Sequence, residues 1–273
     1  MNELATAQPV VVGIDGSKAA IRAALWAVDE AVSRNAPVRL LCATEQDGTQ
    51  AGAETAIRHA ITAIEAAGKP VKIETEVSRG PAIGSLITAS ASAAMVCVGA
   101  VGLRHFRPGR VGSTAAALAV SARCPVAIIR GREDHAHPPA QGIVVEVDGS
   151  PDNGVLLGAA VEAARRRNAA LNAIICRQVA PGDDRAAEDN RRALADLDRR
   201  LARWKRRHPD LRVESVAVHG SLLEYVAHNR RSVRLVIVGA HNRKQVGELV
   251  GPAGAAILQD ADCSLLIVNQ QHL

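Results

Sequence analysis

Short aliphatic runs alternate along this chain with longer, Ala-rich stretches. PVVVGI (9–14), VRLLCAT (38–44), VKIETEV (71–77), MVCVGA (95–100) and PVAIIR (125–130) are each bounded by Gly, Pro or charge. Runs of that length and β-branched content predict strands. Between the first two, AAIRAALWAVDEAVSRN repeats apolar residues every three to four positions and predicts an amphipathic helix ending before Asn35. Further on, DNRRALADLDRRLARWKRR (189–207) places Leu194, Leu197, Leu201 and Trp204 on one face. Asp196 and Asp198 are interspersed among its Arg residues, which predicts a solvated outer face rather than a nucleic-acid helix. Strands alternating with helices imply a parallel sheet covered on both sides and joined by right-handed crossovers.

The pattern occurs twice. VVVGIDGS (10–17) matches IVVEVDGS (143–150), and RNAPVRLL (34–41) matches RNAALNAI (167–174), both at an offset of 133. Gly80 precedes Gly99 by 19 residues, as Gly220 precedes Gly239, while Cys124 follows Gly112 by 12, as Cys263 follows Gly251. Such matched intervals identify a tandem duplication. The expected organisation is one unit over 1–130, a linker over 131–142 and a second unit over 143–273. The linker, GREDHAHPPAQG, is rich in Pro, Gly and charge and has no apolar period. Its His135 and His137 lack the further ligands that a metal site needs.

Composition narrows the function. The 273 residues are 48% hydrophobic and 22% charged, enough apolar content for a real core. Aromatics are 1%, which leaves almost nothing for a base-stacking nucleic-acid platform. The net charge of +5 suits an anionic ligand but is too small to argue for DNA. Cys42, Cys97, Cys124, Cys176 and Cys263 are scattered, form no CxxC pair and fit a reducing cytoplasm. The N-terminus has no basic segment of the signal-peptide kind. The uncharged stretch from Gly80 to Leu103 is mainly Ala, Ser, Gly and Thr, so it predicts a buried helix and strand rather than a membrane span.

In an open α/β sheet, ligands bind beyond the carboxyl ends of the strands. The first strand of unit one ends in Gly13-Ile14-Asp15-Gly16-Ser17, and the fourth in Gly99-Ala100-Val101-Gly102. After nine intervening residues come Gly112, Ser113 and Thr114, where a helix begins. A helix N-terminus offers unpaired N–H groups and partial positive charge to phosphate, and glycines let the backbone approach it. Arg104, Arg107 and Arg110 in the intervening loop could neutralise phosphate charge. Asp15 could accept from an adenine amino group or a ribose hydroxyl, or it could simply cap the next helix with Ser17.

G-x-x-G, nine residues, then G-S resembles the ATP-binding pattern of the universal stress protein family, here Gly99, Gly102, Gly112 and Ser113. The VVGIDGS start, Gly80-Pro81 and Cys124-Pro125-Val126 also look like that family. The resemblance covers both copies and is similar to tandem actinobacterial members. It implies α/β architecture in two tandem doubly wound units, each a five-stranded parallel sheet flanked by helices. It also implies ATP, which Mg could accompany. Asp15 and the backbone near Ala43 would hold adenine and ribose; Gly13, Gly99, Gly102, Gly112, Ser113 and Thr114 would hold ribose and phosphates. In copy two, Glu146 replaces Gly13, Asn242 replaces the second Gly, the loop is one residue shorter and Pro252 replaces the Ser. That copy is expected to be a packing partner. The terminal runs PVAIIR and SLLIVN are expected at sheet edges, pairing the copies about a pseudo-twofold axis, with whole chains forming a homodimer.

No P-loop, G-x-S-x-G, H-E-x-x-H or kinase motif occurs. A nucleotide-binding regulatory module in stress or dormancy is therefore the leading reading. A slow ATPase or self-phosphorylating switch using Ser113 or Thr114, and a nucleotide-free scaffold, stay open.

Overall fold

The computed structural model describes residues 7–44, 49–103, 109–131, 142–148, 153–177 and 184–269. The first repeat runs β1 (Val10–Ile14), α1 (Lys18–Arg34), β2 (Val38–Thr44), α2 (Gln50–Ala66), β3 (Ile73–Arg79), α3 (Ala82–Ala89), β4 (Met95–Gly99), α4 (Ser113–Ser121) and β5 (Val126–Ile129). The second runs β6 (Gly142–Glu146), α5 (Asn153–Arg166), β7 (Leu171–Arg177), α6 (Asp184–Arg207), β8 (Val213–His219), α7 (Leu222–His228), β9 (Val233–Gly239), α8 (Arg243–Val250), α9 (Pro252–Asp260) and β10 (Ser264–Val268). Every strand run and both helices read from the apolar pattern are present. Asn35 ends α1 at φ +50°, its N–H donating back to the Ala31 and Val32 carbonyls, which is why the helix stops there.

Each repeat forms a doubly wound sheet, ordered β3-β2-β1-β4-β5 in the first and β8-β7-β6-β9-β10 in the second. Within each repeat all pairs are parallel. β5 and β10 pair antiparallel through Leu265–Ile128, Leu266–Ala127 and Ile267–Val126, fusing both repeats into one ten-stranded sheet. The unpaired edges expected from PVAIIR and SLLIVN are thus satisfied inside the chain. One face of the sheet packs on α1, α2, α5 and α6, the other on α3, α4, α7, α8 and α9, and both cores run through both repeats.

The stretch from Gly80 to Leu103 splits into α3 and β4, as expected, although α3 buries only Leu86 while Met95–Val98 are fully buried. No helix among the described residues is long and apolar enough to cross a membrane. On α6, Leu197 and Leu201 are buried, while Arg191 and Arg192 pair with Glu188 and Arg199 and Arg200 pair with Asp196 on the solvent side. The repeats also meet at a buried carboxylate. Glu30 of α1 is 0% exposed, and its Oε1 accepts from Arg167 at 3.1 Å while Oε2 faces Arg166 at 2.9 Å. The Arg167 guanidinium also lies 4.7 Å over the Trp26 ring. His135 and His137 lie outside the described residues, as do Arg104 and Arg107.

Candidate functional site

Strand order reverses between β1 and β4, so the loops leaving their carboxyl ends diverge and open a crevice. A cavity of about 540 Å³ occupies it, lined by Gly13, Asp15, Ala43, Gly99, Gly102, Gly112, Ser113 and Thr114 together. These are the eight residues singled out from the sequence. Its apolar wall is Leu41, Leu86 and Val98, with Leu103 at the rim, 64% exposed. No motif marked that wall, because these residues also serve as ordinary core positions of β2, α3 and β4.

The α4 helix begins at Ser113, and its N-cap, Gly112, makes no side-chain cap bond. The first-turn N–H groups therefore face the cavity without a side-chain acceptor, the arrangement that favours an anion. Gly112 is extended, at φ −62° and ψ 150°, and its N–H donates to the Ala100 carbonyl at 2.8 Å. A Cβ at Gly112 would meet nothing closer than 3.6 Å, so the empty fold does not require glycine there. The other glycines differ. A Cβ on Gly99 would stand 2.7 Å from Ala19 Cβ and 2.8 Å from the Ala19 carbonyl carbon, so this glycine lets α1 lie close on β4. A Cβ on Gly102 would come within 2.6 Å of Asp15 Oδ2.

Asp15 is more occupied than the sequence suggested. Its Oδ1 accepts the Ser17 N–H at 2.9 Å and its Oδ2 accepts the Leu103 N–H at 3.1 Å. The carboxylate thus ties the exit of β4 to the exit of β1 and shapes the mouth. Ser17 caps α1 by accepting from Ala20 N–H at 3.1 Å, so the capping alternative describes its side chain. Each Asp15 oxygen keeps a lone-pair direction for a ligand hydroxyl or amino group.

The second repeat fills the equivalent space with its own side chains. Between β9 and α9 the second repeat forms α8, with Asn242 Oδ1 capping it from Gln245 N–H at 3.1 Å. The Gln245 amide donates to Glu146, and His241 Nε2 lies 2.9 Å from Asp148 Oδ2. The cavity left, lined by Glu146, Asn242, Lys244, Gln245 and Glu248 among others, is about 180 Å³. Pro252 occupies the first turn of α9, so one N–H of that helix end is missing. A Cβ on Gly239 would sit 2.4 Å from the His241 ring, so a substitution there requires that ring to swing away.

Burial pushes the Glu146 carboxyl above its usual range, with Asp148 and Glu248 adding to the rise, against the Cys176 and Gln245 hydrogen bonds. A carboxyl whose folded pKa is raised binds its proton more tightly in the folded chain. Stability therefore falls as pH rises from the unfolded to the folded pKa, and the deficit persists above it. Glu146→Gln is expected to melt above the parent at pH 8 and to match it below about pH 3, where the Glu146 carboxyl is neutral in the folded and the unfolded chain alike. Parallel thermal melts check this; an equal gain at both pH values would assign the effect to packing instead.

Known proteins point the same way. The family model described as "Universal stress protein family" matches residues 6–130 and again 140–269. Universal stress protein Rv2028c of Mycobacterium tuberculosis is 52% identical over 284 residues, covering 100% of each chain. Universal stress protein Rv3134c of the same organism is 43% identical over 266 residues, covering 94% of this chain and 97% of that one. Among solved structures, a universal stress protein from Archaeoglobus fulgidus superposes with a TM-score of 0.70 over 97% of both chains. At 15% identity that likeness speaks for the fold alone. Two matched repeats, a shared sheet order and relatives aligned end to end converge on one assignment: the chain belongs to the universal stress protein family, as a tandem pair of its domains.

Proposed function

We propose that the first repeat binds ATP and that the protein acts as a nucleotide-binding regulatory module in a stress or dormancy response. The observation carrying this is the uncapped N-terminus of α4, which opens at Gly112, Ser113 and Thr114 onto a 540 Å³ crevice. Phosphates would accept from the first-turn N–H groups and the two hydroxyls, with Arg110 in the preceding loop available to offset their charge. Adenine and ribose would lie toward Asp15 and the backbone of Ala43, against Leu41, Leu86 and Val98. Gly13 and Gly102 keep that floor free of side chains. The lining offers one carboxylate, both oxygens of which already accept N–H groups, and two hydroxyls. Ser113 or Thr114 would hold Mg from the protein side, where it would offset the charge of the nucleotide's own phosphates.

Binding is favoured over turnover by the same inventory. Among the described lining residues, Asp15 alone carries a carboxylate, and its two backbone bonds oppose its serving as a base. Four of the five thiols are buried and none is in a disulfide, which supports a reducing, cytoplasmic setting. A homodimer of whole chains is the accompanying assembly proposal. With β5 and β10 already paired to each other, it would form through another surface, and light scattering giving only monomer mass at micromolar concentration overturns it.

The direct test is denaturation of purified protein followed by mass spectrometry of the released small molecules, together with calorimetric titration of ATP. ATP recovered near stoichiometry and a saturating isotherm are expected. No nucleotide and a flat isotherm would favour the scaffold reading, and AMP or cyclic AMP in its place would change the ligand. Turnover that disappears in a Gly112 variant would establish the slow ATPase instead.

A further inference from the structure

The loop from β4 to α4 in the first repeat ends against the second repeat. The Gly109 N–H donates to Gln259 Oε1 on α9 at 2.8 Å. Gly109 holds a φ of +74°, and a Cβ there would stand 3.4 Å from Ala256 Cβ on the same helix. Ala256 and Gln259 are three residues apart and so share one face of α9. The small side chain lets the glycine backbone come close, and the amide one turn on receives its N–H. Three residues beyond Gly109, the Gly112 N–H donates to the Ala100 carbonyl at 2.8 Å. The returning limb of the loop is thereby pinned at both ends, by its own repeat at Gly112 and by the other repeat at Gly109.

The anchor is itself held in place. The β5–β10 ladder, the Arg130 N–H to Ser264 Oγ bond at 3.0 Å and the Asn269 amide to Ala122 carbonyl bond at 2.9 Å tie the two terminal strands together. On the opposite face of the sheet, Glu30 bridges to Arg166 and Arg167. α9 therefore cannot drift relative to α4 without breaking a buried ladder. The contact has a counterpart about the pseudo-twofold axis: α8, which precedes α9 in the second repeat, packs against α4.

We propose that Gln259 is a positioning residue for the nucleotide site of the first repeat, so that the second repeat completes a site it does not itself possess. The inference rests on the ATP reading above. Gln259 holds Gly109, three residues before the Gly112 N-cap, and so fixes the path by which the chain enters the α4 N-terminus. That path is set before the nucleotide arrives, and ordering entropy need not be lost on binding. Coupling of this kind is reciprocal, so a bound nucleotide tightens the loop on α9 as much as α9 favours the nucleotide.

Two variants of the full chain test this. Gln259→Leu removes the acceptor at an exposed position, while Gln259→Glu keeps an acceptor oxygen at the same reach. In the absence of nucleotide, hydrogen exchange at the Gly109 amide should accelerate about tenfold in the Leu variant and stay near parental in the Glu variant, as loss of one hydrogen bond of ordinary strength implies. ATP affinity, measured by calorimetry, should fall about 3–10-fold in the Leu variant and recover in the Glu variant. Parental ATP binding with the Leu variant inside 1.5-fold would overturn the positioning role and leave the ATP reading standing. A flat isotherm for the parent overturns the ATP reading and this inference with it. Unchanged Gly109 exchange in the Leu variant shows that the anchor does not hold the loop and sinks the inference alone.

Discussion

Gly112→Val is expected to remove ATP binding while leaving the fold and its melting temperature nearly untouched. The two halves of that expectation come from different observations. Gly112 has extended backbone angles open to any L residue, and a Cβ there meets only ordinary contacts, the nearest at 3.6 Å. Valine should therefore cost only about 1 kcal/mol, the scale of replacing a favoured N-cap residue. The same side chain stands at the entrance to the α4 N-terminus, where a phosphate oxygen must approach the first-turn N–H groups. Losing two charge-assisted contacts at about 1.5–3 kcal/mol each amounts to roughly two to four decades of affinity. Calorimetric titration with a parallel thermal melt reads both halves. Affinity within twofold of the parent would refute the assignment of the α4 terminus to phosphate. Gly99→Val makes a poor substitute, because its Cβ would collide with the Ala19 backbone and any lost binding could follow from lost packing.

One ATP per chain is the second expected result, with the nucleotide held by residues 1–130. Glu146, Asn242 and Pro252 stand where Gly13, Gly102 and Ser113 stand in the first repeat. Folding adds what the substitutions alone did not show: residues 243–250 form α8, Gln245 reaches into the cradle to Glu146, and His241 lies against Asp148. The remaining space, about 180 Å³ against 540 Å³, is a third of that in the first repeat. Losing two phosphate contacts and meeting a buried carboxylate costs roughly 4–6 kcal/mol, or three to four decades of affinity. The raised pKa of Glu146 adds a direction to this. Any residual binding to the second repeat should strengthen as pH falls and the carboxyl takes its proton, while binding to the first should not follow that titration. Equilibrium dialysis near one ATP per chain is the expected outcome. A value of two would mean that Arg243 and Lys244 build a different phosphate site on α8.

Taken together, these results give the duplication a division of labour. The first repeat keeps the crevice, and the second fills its own with side chains and receives the Gly109 N–H on Gln259 of α9.

Much of this architecture was legible in the amino-acid order, for a local reason. A strand buried on both faces shows a continuous aliphatic run, as in β1, β2 and β4, and a helix lying on a sheet shows a three-to-four-residue period, as in α1 and α6. The repeat, the strand set, the start of α4 at Ser113 and the gathering of eight candidate residues at one crevice all follow from such signals and from glycine spacing. Other features leave no local trace. An aliphatic edge such as PVAIIR is equally satisfied by a partner in its own chain or in another, and only the folded geometry brings β5 against β10. Residues 243–250 are a short, mostly polar segment whose only apolar side chains are Val246, Leu249 and Val250, so their folding into α8 depends on Asn242 as cap and on Val246 and Leu249 finding the core. Asp15 looks the same in the sequence whether its oxygens meet a ligand or the N–H groups of Ser17 and Leu103. Gly109 and Gln259 are 150 positions apart, and nothing near either residue marks the other. Local order encodes which face of an element is buried; which distant element covers it is settled by the packing of the whole chain.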